Sequence, residues 1–198
     1  GGELVAFCDD DDRWAPEKLA RQVPAMEGFA VSVTGIVIEY GGKETIRVPR
    51  QDEFTLENLV RNRIMAGHPS TVVFRRDAID AIGLVDEEIP GSYGEGYDWM
   101  IRALQHGPGR VVAAPLVRVL WGQSMFSQKW QTIVDSIDYT LQKHEIFRKD
   151  NRALARKLGR RAFANAALGN RRQALVDAWR ALRAYPKERR AYLAPVVA

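Results

Sequence analysis

The chain contains a single cysteine, Cys8, among its 198 residues, so an internal disulfide is excluded. Cys8 ends an apolar run, which predicts a buried, inert thiol rather than a nucleophile. The sequence also lacks an apolar run of the roughly 20 residues that a membrane-spanning helix needs. It begins without the basic region and long apolar stretch of a signal peptide. We therefore expect a cytoplasmic protein in a reducing compartment.

Several signatures of catalysis and ligand binding are missing from the sequence as well. It has no Walker loop, no G-x-G-x-x-G motif after a strand, no paired cysteine ligands and no nucleophile elbow. The basic tail has few aromatic residues and carries no recognised nucleic-acid motif. These absences argue against a P-loop nucleotide-binding protein, a dinucleotide-binding enzyme, a site with paired cysteine ligands and an α/β-hydrolase. We expect no nucleic-acid partner.

The net charge of +4 conceals a strong asymmetry along the chain. Residues 151–198 hold 12 basic and 2 acidic side chains, a net charge of +10, whereas the first 150 residues have a net charge of −6. This predicts an acidic body with a basic appendage that meets an anionic partner. The first basic helix carries four cations beside two leucines: Arg152, Arg156, Lys157 and Arg160 with Leu154 and Leu158. That pattern is typical of peripheral contact with an anionic membrane, and a solvated basic face is the alternative.

The most unusual stretch is an apolar run, residues 4–8, that ends in four consecutive carboxylates, Asp9, Asp10, Asp11 and Asp12. Adjacent like charges repel one another unless water, a basic partner or a cation neutralises them. Aspartates that follow a buried strand form an oxygen-rich site at a sheet edge, where hard divalent ions bind. The alternative is a solvated turn that caps the next helix.

Hydrophobic periodicity gives a coarse map of the remaining elements. It predicts helices over residues 16–27, 55–63, 76–82 and 97–106, a hairpin over 30–40 and 45–48, and strands over 70–74 and 110–120, the last broken at Pro115. Residues 83–96 are predicted to form a loop. From residue 126 the pattern is helical, with breaks near Asp150, Gly169 and Pro186. Three tryptophans at helical apolar positions are assigned to the core: Trp99, Trp130 and Trp179.

The ordered stretch from Phe7 to Leu19, FCDDDDRWAPEKL, resembles the DxD region of GT-A fold glycosyltransferases of family 2. The resemblance implies an α/β fold, the Rossmann-like sheet of nucleotide-diphospho-sugar transferases, with a C-terminal α-helical extension. It also implies that the nucleotide-binding strands expected before the DxD strand lie outside this sequence. We expect a partial GT-A catalytic domain over residues 1–125 and a helical extension over residues 126–198.

In that family the DxD aspartates contact the donor and hold a divalent metal. The resemblance therefore makes Asp9, Asp10 and Asp11 donor-binding residues, with Asp11 the first choice as ligand of Mn²⁺ or Mg²⁺. Asp10 and Asp12 are close competitors for the metal. On the acceptor side, His68 and Trp121 are candidates for sugar contact, although a structural histidine and a core tryptophan are the alternatives. Gln123 and Ser124 are candidates for phosphate contact.

A second resemblance lies at residues 94–102, GEGYDWMIR, which is similar to the family's acceptor-side motif. The family's catalytic base is an aspartate at the position that Gly96 occupies here, and glycine cannot accept a proton. Glu95 and Asp98 are the neighbouring carboxylates that would replace it, with Asp98 favoured. A helix N-terminal charge is the alternative for Asp98, and a solvated loop acid is the alternative for Glu95.

Together these resemblances imply a metal-dependent, inverting glycosyltransferase. It would move a sugar from a nucleoside-diphosphate sugar to a saccharide or lipid-linked acceptor. The alternative is a catalytically silent GT-A-like binding module that uses its basic helical tail to bind membrane or protein partners, because Gly96 replaces the base.

Overall fold

The computed structural model describes residues 2–62, 64, 67–122 and 128–197. They form two compact units. The described residues within 1–59, 63–86 and 96–123 form the sheet unit, and those within 60–62, 87–95 and 124–198 form the helical unit. The mixed α/β class with a helical C-terminal part is confirmed. The division after residue 125 into a catalytic domain and an extension stays a prediction.

The sheet unit is built on one mixed sheet. Its strands among the described residues are β1 (Leu4–Ala6), β2 (Arg13–Trp14), β3 (Val31–Tyr40), β4 (Lys43–Arg47), β5 (Val73–Arg75) and β6 (Gly109–Leu120). Their order is β1-β5-β3-β6-β2, with β4 paired to β3. β3 and β6 run parallel, whereas the other pairs are antiparallel. The helices along this part of the chain are α1 (Lys18–Gln22), α2 (Leu56–Arg61), α3 (Arg76–Ile82) and α4 (Glu95–His106).

β3 is the central strand, and residues 31–38 are buried along its length. This continuous burial follows from neighbours on both edges and matches the β-branched composition of the strand. The predicted hairpin to β4 is confirmed, and Gly41 and Gly42 at its turn both have positive φ.

The predicted break at Pro115 does not end β6, which runs unbroken through that residue. The pairing shifts register on both sides of Gly35, which faces Pro115. A Cβ on Gly35 would lie 2.9 Å from the Arg47 carbonyl oxygen and 3.0 Å from that of Ala114. The glycine therefore permits a bulge that absorbs the hydrogen bond missing at proline.

The helical unit contains α5 (Trp130–Lys143), α6 (Ile146–Lys149), α7 (Asn151–Ala167), α8 (Arg171–Ala184) and α9 (Arg189–Val197). The predicted breaks are confirmed. Asp150 caps α7 by accepting a hydrogen bond from the Ala153 amide at 2.8 Å. Gly169 has positive φ after α7, and Pro186 lies between α8 and α9.

The core between α7, α8 and α9 consists mainly of alanine. Its buried members include Ala155, Ala162, Ala166, Ala174, Ala178, Ala181, Ala191 and Ala194. Such small side chains let helices approach one another closely, at the cost of little buried apolar area per residue.

Arg161 on α7 is the centre of a buried ionic cluster in this unit. Its guanidinium donates to Asp177 at 2.6 and 2.9 Å and also pairs with Asp138. Asp177 is fully buried and accepts further hydrogen bonds from Asn165 and Gln173. The cluster therefore connects α5, α7 and α8 through charges that compensate one another.

Three predictions about burial and extent are wrong. Cys8 is exposed, because β1 ends at Ala6 and the thiol belongs to the following turn. Trp179 is 60% exposed, since α8 turns its alanines inward and Trp179 lies on the opposite face. The helix predicted over residues 16–27 is the shorter α1, followed by a 3-10 turn that begins at Pro24. The core assignment of Trp99 is confirmed, and Trp130 is half-buried.

Within the described part of the chain, no helix combines the length and apolar character that crossing a bilayer demands.

Candidate functional site

The four aspartates form a tight turn between β1 and β2. The amide of Asp12 donates to the carbonyl oxygen of Asp9 at 3.1 Å, which closes the turn. Asp10 and Asp11 occupy its exposed tip, whereas Asp12 turns inward and is 9% exposed. Asp9 is exposed as well, so Asp12 is the one aspartate of the four that faces the protein.

Ser70 holds this turn in place from a 3-10 turn at Pro69–Thr71. The Asp9 amide donates to Ser70 Oγ at 2.9 Å, and Ser70 Oγ donates to Asp12 Oδ2 at 2.5 Å. The indole Nε1 of Trp14 donates to the Ser70 carbonyl oxygen at 2.8 Å. One buried serine thus fixes both ends of the acidic turn.

The same 3-10 turn brings His68 to the carboxylates. Single ligand atoms from Asp9, Asp12 and His68 all lie within 4.8 Å of one another. His68 Nδ1 is 3.2 Å from Asp12 Oδ2, yet the contact lacks hydrogen-bond geometry. Among the described residues this buried nitrogen has no hydrogen-bond partner. A buried polar atom in that state is costly unless a ligand satisfies it.

The electrostatics of the turn favour a bound cation. The pKa of Asp9 is raised, first by desolvation and then by the neighbouring charges of Asp12, Asp11 and Asp10, and His68 opposes the rise. The pKa of the Cys8 thiol is also raised, by partial desolvation and by Asp12 and Asp9. The thiol therefore stays protonated and unreactive although it is exposed.

Two carboxylates and an imidazole nitrogen at this spacing fit a divalent ion. Carboxylate oxygens suit Mn²⁺ and Mg²⁺, and a nitrogen ligand is less typical of Mg²⁺, which prefers oxygen ligands. The unsatisfied Nδ1 of His68 supplies the structural reason for a ligand here. Asp11, the first choice from the sequence, lies outside this cluster at the exposed tip, and its metal role stays a prediction.

A buried polar network lies beside the acidic turn. Lys18 is fully buried, and its Nζ donates to Gln22 Oε1 at 2.8 Å and lies 4.1 Å from the ring centroid of Trp14. Gln22 Nε2 donates to Ser32 Oγ at 2.8 Å and to the Thr71 carbonyl oxygen at 2.9 Å. Because Gln22 is bonded to Thr71, the network supports the 3-10 turn that carries Ser70. Desolvation lowers the pKa of Lys18 to about 8.

In the sheet unit, α4 packs an aromatic ring against Phe7, two residues before the acidic turn. Trp99 on α4 contacts Phe7 with ring centroids 5.3 Å apart and Phe74 with centroids 4.4 Å apart. A Cβ on Gly96 would lie 3.8 Å from Pro69 Cγ, which is ordinary van der Waals contact. Position 96 therefore faces the 3-10 turn that holds Ser70, and a Cβ fits there in ordinary contact.

Asp98 is 3% exposed and pairs with Arg102 Nε at 2.9 Å. Arg102 also donates to the carbonyl oxygens of Ile82, Gly83 and Leu84. In this arrangement the carboxylate orients the arginine that closes the C-terminal end of α3. A catalytic role for Asp98 stays a prediction, and the ion pair gives it a structural role as well.

The remaining predicted site residues have less defined surroundings. Glu95 is the first residue of α4 and is half-buried. Trp121 follows β6, is 41% exposed, and its amide donates to the Glu39 carbonyl oxygen at 2.9 Å. Gln123 and Ser124 lie outside the described residues. The structure brings His68 to the carboxylates, and its predicted acceptor contact stays a prediction.

Sequence reasoning missed the organising roles of Ser70, Lys18 and Gln22. The i, i+4 spacing of Lys18 and Gln22 is a signal, because two polar residues one turn apart share one helix face. Leu19 and Val23 obscure this signal, because their helical spacing predicts that an adjacent face is buried, and the structure exposes that face. Ser70 has no signal in the sequence, since its partners lie about 60 residues away.

Comparison with protein families adds an independent finding. Residues 1–83 match the family model described as Glycosyl transferase family 2. The match includes the acidic turn and His68 and ends before the motif at residues 94–102. No curated protein matches the chain. The match supports a family 2 glycosyltransferase domain of the GT-A type in residues 1–83.

Proposed function

We propose that the protein transfers a sugar from a nucleoside-diphosphate sugar to a saccharide or lipid-linked acceptor, with metal assistance and inversion of configuration. The observation that carries this proposal is the cluster of Asp9, Asp12 and His68 inside the part of the chain that matches family 2. The family supports glycosyl transfer in general. The metal, the substrates and the inversion belong to the proposal.

The residues that would hold the divalent ion are Asp9, Asp12 and His68, with Asp11 at the exposed tip as a further oxygen ligand. When bound, such an ion neutralises the charge that develops on the nucleoside-diphosphate leaving group. Ser70 keeps the Asp12 carboxylate in place through its 2.5 Å hydrogen bond, so this ligand is oriented before an ion binds. Asp10, also at the exposed tip, would meet the donor from the solvent side.

The acceptor needs a base that removes the proton of its hydroxyl group while it attacks the anomeric carbon. Asp98 and Glu95 are the proposed substitutes for the carboxylate missing at Gly96. Asp98 would have to act from within its ion pair with Arg102, whereas Glu95 begins the helix and is half-buried. A Cβ at position 96 would meet Pro69 Cγ at an ordinary 3.8 Å, so Gly96→Asp is a practical test of the base position.

The alternative function is a catalytically silent binding module. The observation that favours it is Gly96, which leaves the family's base position without a side chain. In that case the acidic turn would still bind a metal and a donor, and the helical unit would bind the partner.

Release of nucleoside diphosphate tests the proposal directly. We expect turnover from a panel of sugar nucleotides with Mn²⁺, and we expect Asp12→Asn to reduce it on the order of a hundredfold or more, because the buried ligand is lost. Asp52→Asn, an exposed aspartate in the same unit, is the matched control. Direct titration of Mn²⁺ should show weaker binding in Asp12→Asn and unchanged binding in Asp52→Asn.

Gly96→Asp separates the two candidate functions. Under the enzyme proposal it should raise turnover, since it restores a base beside the 3-10 turn. Metal binding without turnover, both in the original chain and in Gly96→Asp, would contradict glycosyl transfer and support the binding module. An absence of Mn²⁺ binding would contradict both.

A further inference from the structure

The outward face of α8 carries an apolar stripe that the fold of the helical unit does not explain. Leu175, Val176 and Trp179 are 51%, 42% and 60% exposed. Helical spacing places Arg172 one turn before them and Arg183 one turn after them on the same face. We call these five residues the α8 outer stripe. Single exposed apolar residues are normal, but three adjacent ones flanked by arginines mark an interaction surface.

The opposite face of α8 already supplies the core. Ala174, Ala178 and Ala181 are buried against α7 and α9, so the helix does not need its outer apolar residues for packing. Leucine and tryptophan at exposed positions therefore present apolar area that a bound partner can cover. The guanidinium of Arg183 lies 5.4 Å from the ring centroid of Trp179, which holds a cation beside the apolar surface.

The charge around the stripe has one sign. Residues 171–193 contain seven basic side chains and two acidic ones. Both acids face inward: Asp177 is fully buried in the Arg161 cluster, and the Glu188 side chain is 13% exposed and pairs with Arg190. The solvent-facing charge of this segment is therefore positive, and its partner should be anionic.

The basic face expected on α7 is differently placed. Arg152 donates to Asn62 Oδ1 at 2.6 Å, Lys157 Nζ lies 5.1 Å from the ring centroid of Phe147, and Arg160 lies 5.4 Å from that of Tyr93. These cations lie against the helical unit's own surface. The outer face of α8 is therefore the better candidate for contact with an anionic surface.

We propose that the α8 outer stripe docks on the surface of an anionic lipid bilayer, with α8 lying in the interfacial plane. Aliphatic side chains in the middle of the stripe match acyl chains, tryptophan is favoured at the level of the headgroups, and the arginines meet lipid phosphates. Nucleic acid would use the arginines but not the aliphatic residues. This inference goes beyond sugar transfer and does not depend on it.

Vesicle co-sedimentation of the whole protein tests the docking surface without any sugar nucleotide. We expect binding to phosphatidylcholine vesicles that contain phosphatidylglycerol and much weaker binding to phosphatidylcholine alone. Arg172→Gln with Arg183→Gln should reduce the affinity roughly twentyfold, because each surface arginine contributes about fivefold. Leu175→Ser with Trp179→Ser should reduce it at least about tenfold, and added salt should weaken what remains.

The controls place equivalent changes elsewhere on the surface. Leu84→Ser removes an exposed leucine from the sheet unit, and Arg148→Gln with Lys149→Gln removes two exposed cations from α6. Both should bind vesicles as the original protein does, and circular dichroism should show that all variants are folded. Equal losses in the controls, no binding to anionic vesicles, or stripe-dependent binding to single-stranded DNA or to a second copy of the chain instead would overturn the proposal.

Discussion

The two units bury cations in different ways. In the helical unit, Arg161 faces the carboxylates of Asp138 and Asp177, so charge meets charge. In the sheet unit, the ammonium of Lys18 lies between the amide oxygen of Gln22 and the ring of Trp14. A buried ion pair holds together the elements that contribute it, whereas a weakly compensated buried charge lowers the stability of the fold. In the sheet unit, the buried Lys18 belongs to the network that supports the turn carrying Ser70 and His68.

The largest effect is expected from breaking the compensated cluster. Arg161→Leu leaves Asp177 buried without its cation, and we expect the free energy of unfolding to fall by about 3–5 kcal/mol. Urea denaturation followed by circular dichroism measures the change. Arg148→Leu on α6, an exposed arginine, should shift stability by less than about 0.5 kcal/mol.

A double variant sharpens this test. Arg161→Leu combined with Asp177→Leu removes both charges, so it should regain part of the loss seen in the single variant. Equal stability of the original chain and Arg161→Leu would show that the cluster does not compensate buried charge.

The next effect concerns the pH dependence that Lys18 imposes. Its pKa is about 8 in the folded chain and 10.5 ordinarily. Between these values the unfolded chain binds more protons than the folded chain, so the free energy of unfolding rises with pH. Below this window the full cost of burying the ammonium is present, and above it the cost is absent. The rise should total roughly 3 kcal/mol.

Comparison with Lys18→Met isolates this contribution. Lys18→Met also removes the effect of Lys18 on the pKa of Cys8, so the difference between the two stability curves reports Lys18 together with its coupling to Cys8. As pH rises above 8, the urea midpoint of the original chain should increase relative to that of Lys18→Met. Parallel curves would mean that Lys18 keeps its ordinary pKa when buried.

Ser70→Ala should have the smallest effect on stability of the three single variants, and it should also weaken Mn²⁺ binding. The Asp12 carboxylate loses a donor and the Asp9 amide loses an acceptor, so the free energy of unfolding should fall by about 1–3 kcal/mol. Mn²⁺ affinity should fall roughly tenfold to a hundredfold, because the ligands lose their orientation. Isothermal titration measures the affinity. Thr45→Ala on exposed β4 is the control, and unchanged Mn²⁺ binding in Ser70→Ala would remove the serine from the proposed site.

Local signals were sufficient for most of the fold. Composition and turn residues predicted the β3–β4 hairpin, α3 and the breaks at Asp150, Gly169 and Pro186, because each depends on nearby residues. Trp179 was misplaced because periodicity finds an apolar face but does not show which face meets the core. Pro115 was misread because the bulge that accommodates it depends on Gly35 in another strand.

Only the carboxylates of the candidate site could be predicted from the sequence, and their arrangement could not. The four aspartates and their position after β1 follow from the sequence, and the resemblance to family 2 agrees with the family model that matches residues 1–83. Which carboxylate turns inward depends on Ser70, a contact 58 residues away from Asp12. No local pattern shows that Asp12 rather than Asp11 turns inward, so this difference in burial depends on the tertiary structure.

The surroundings of Trp14 make its fluorescence a probe of the acidic turn. Its indole N–H is bonded to the Ser70 carbonyl oxygen, and the Lys18 ammonium lies 4.1 Å from its ring centroid. Indole emission responds both to hydrogen bonding and to a nearby charge. In a variant whose other four tryptophans are replaced by phenylalanine, the colour of Trp14 emission would report the state of the acidic turn without any added label.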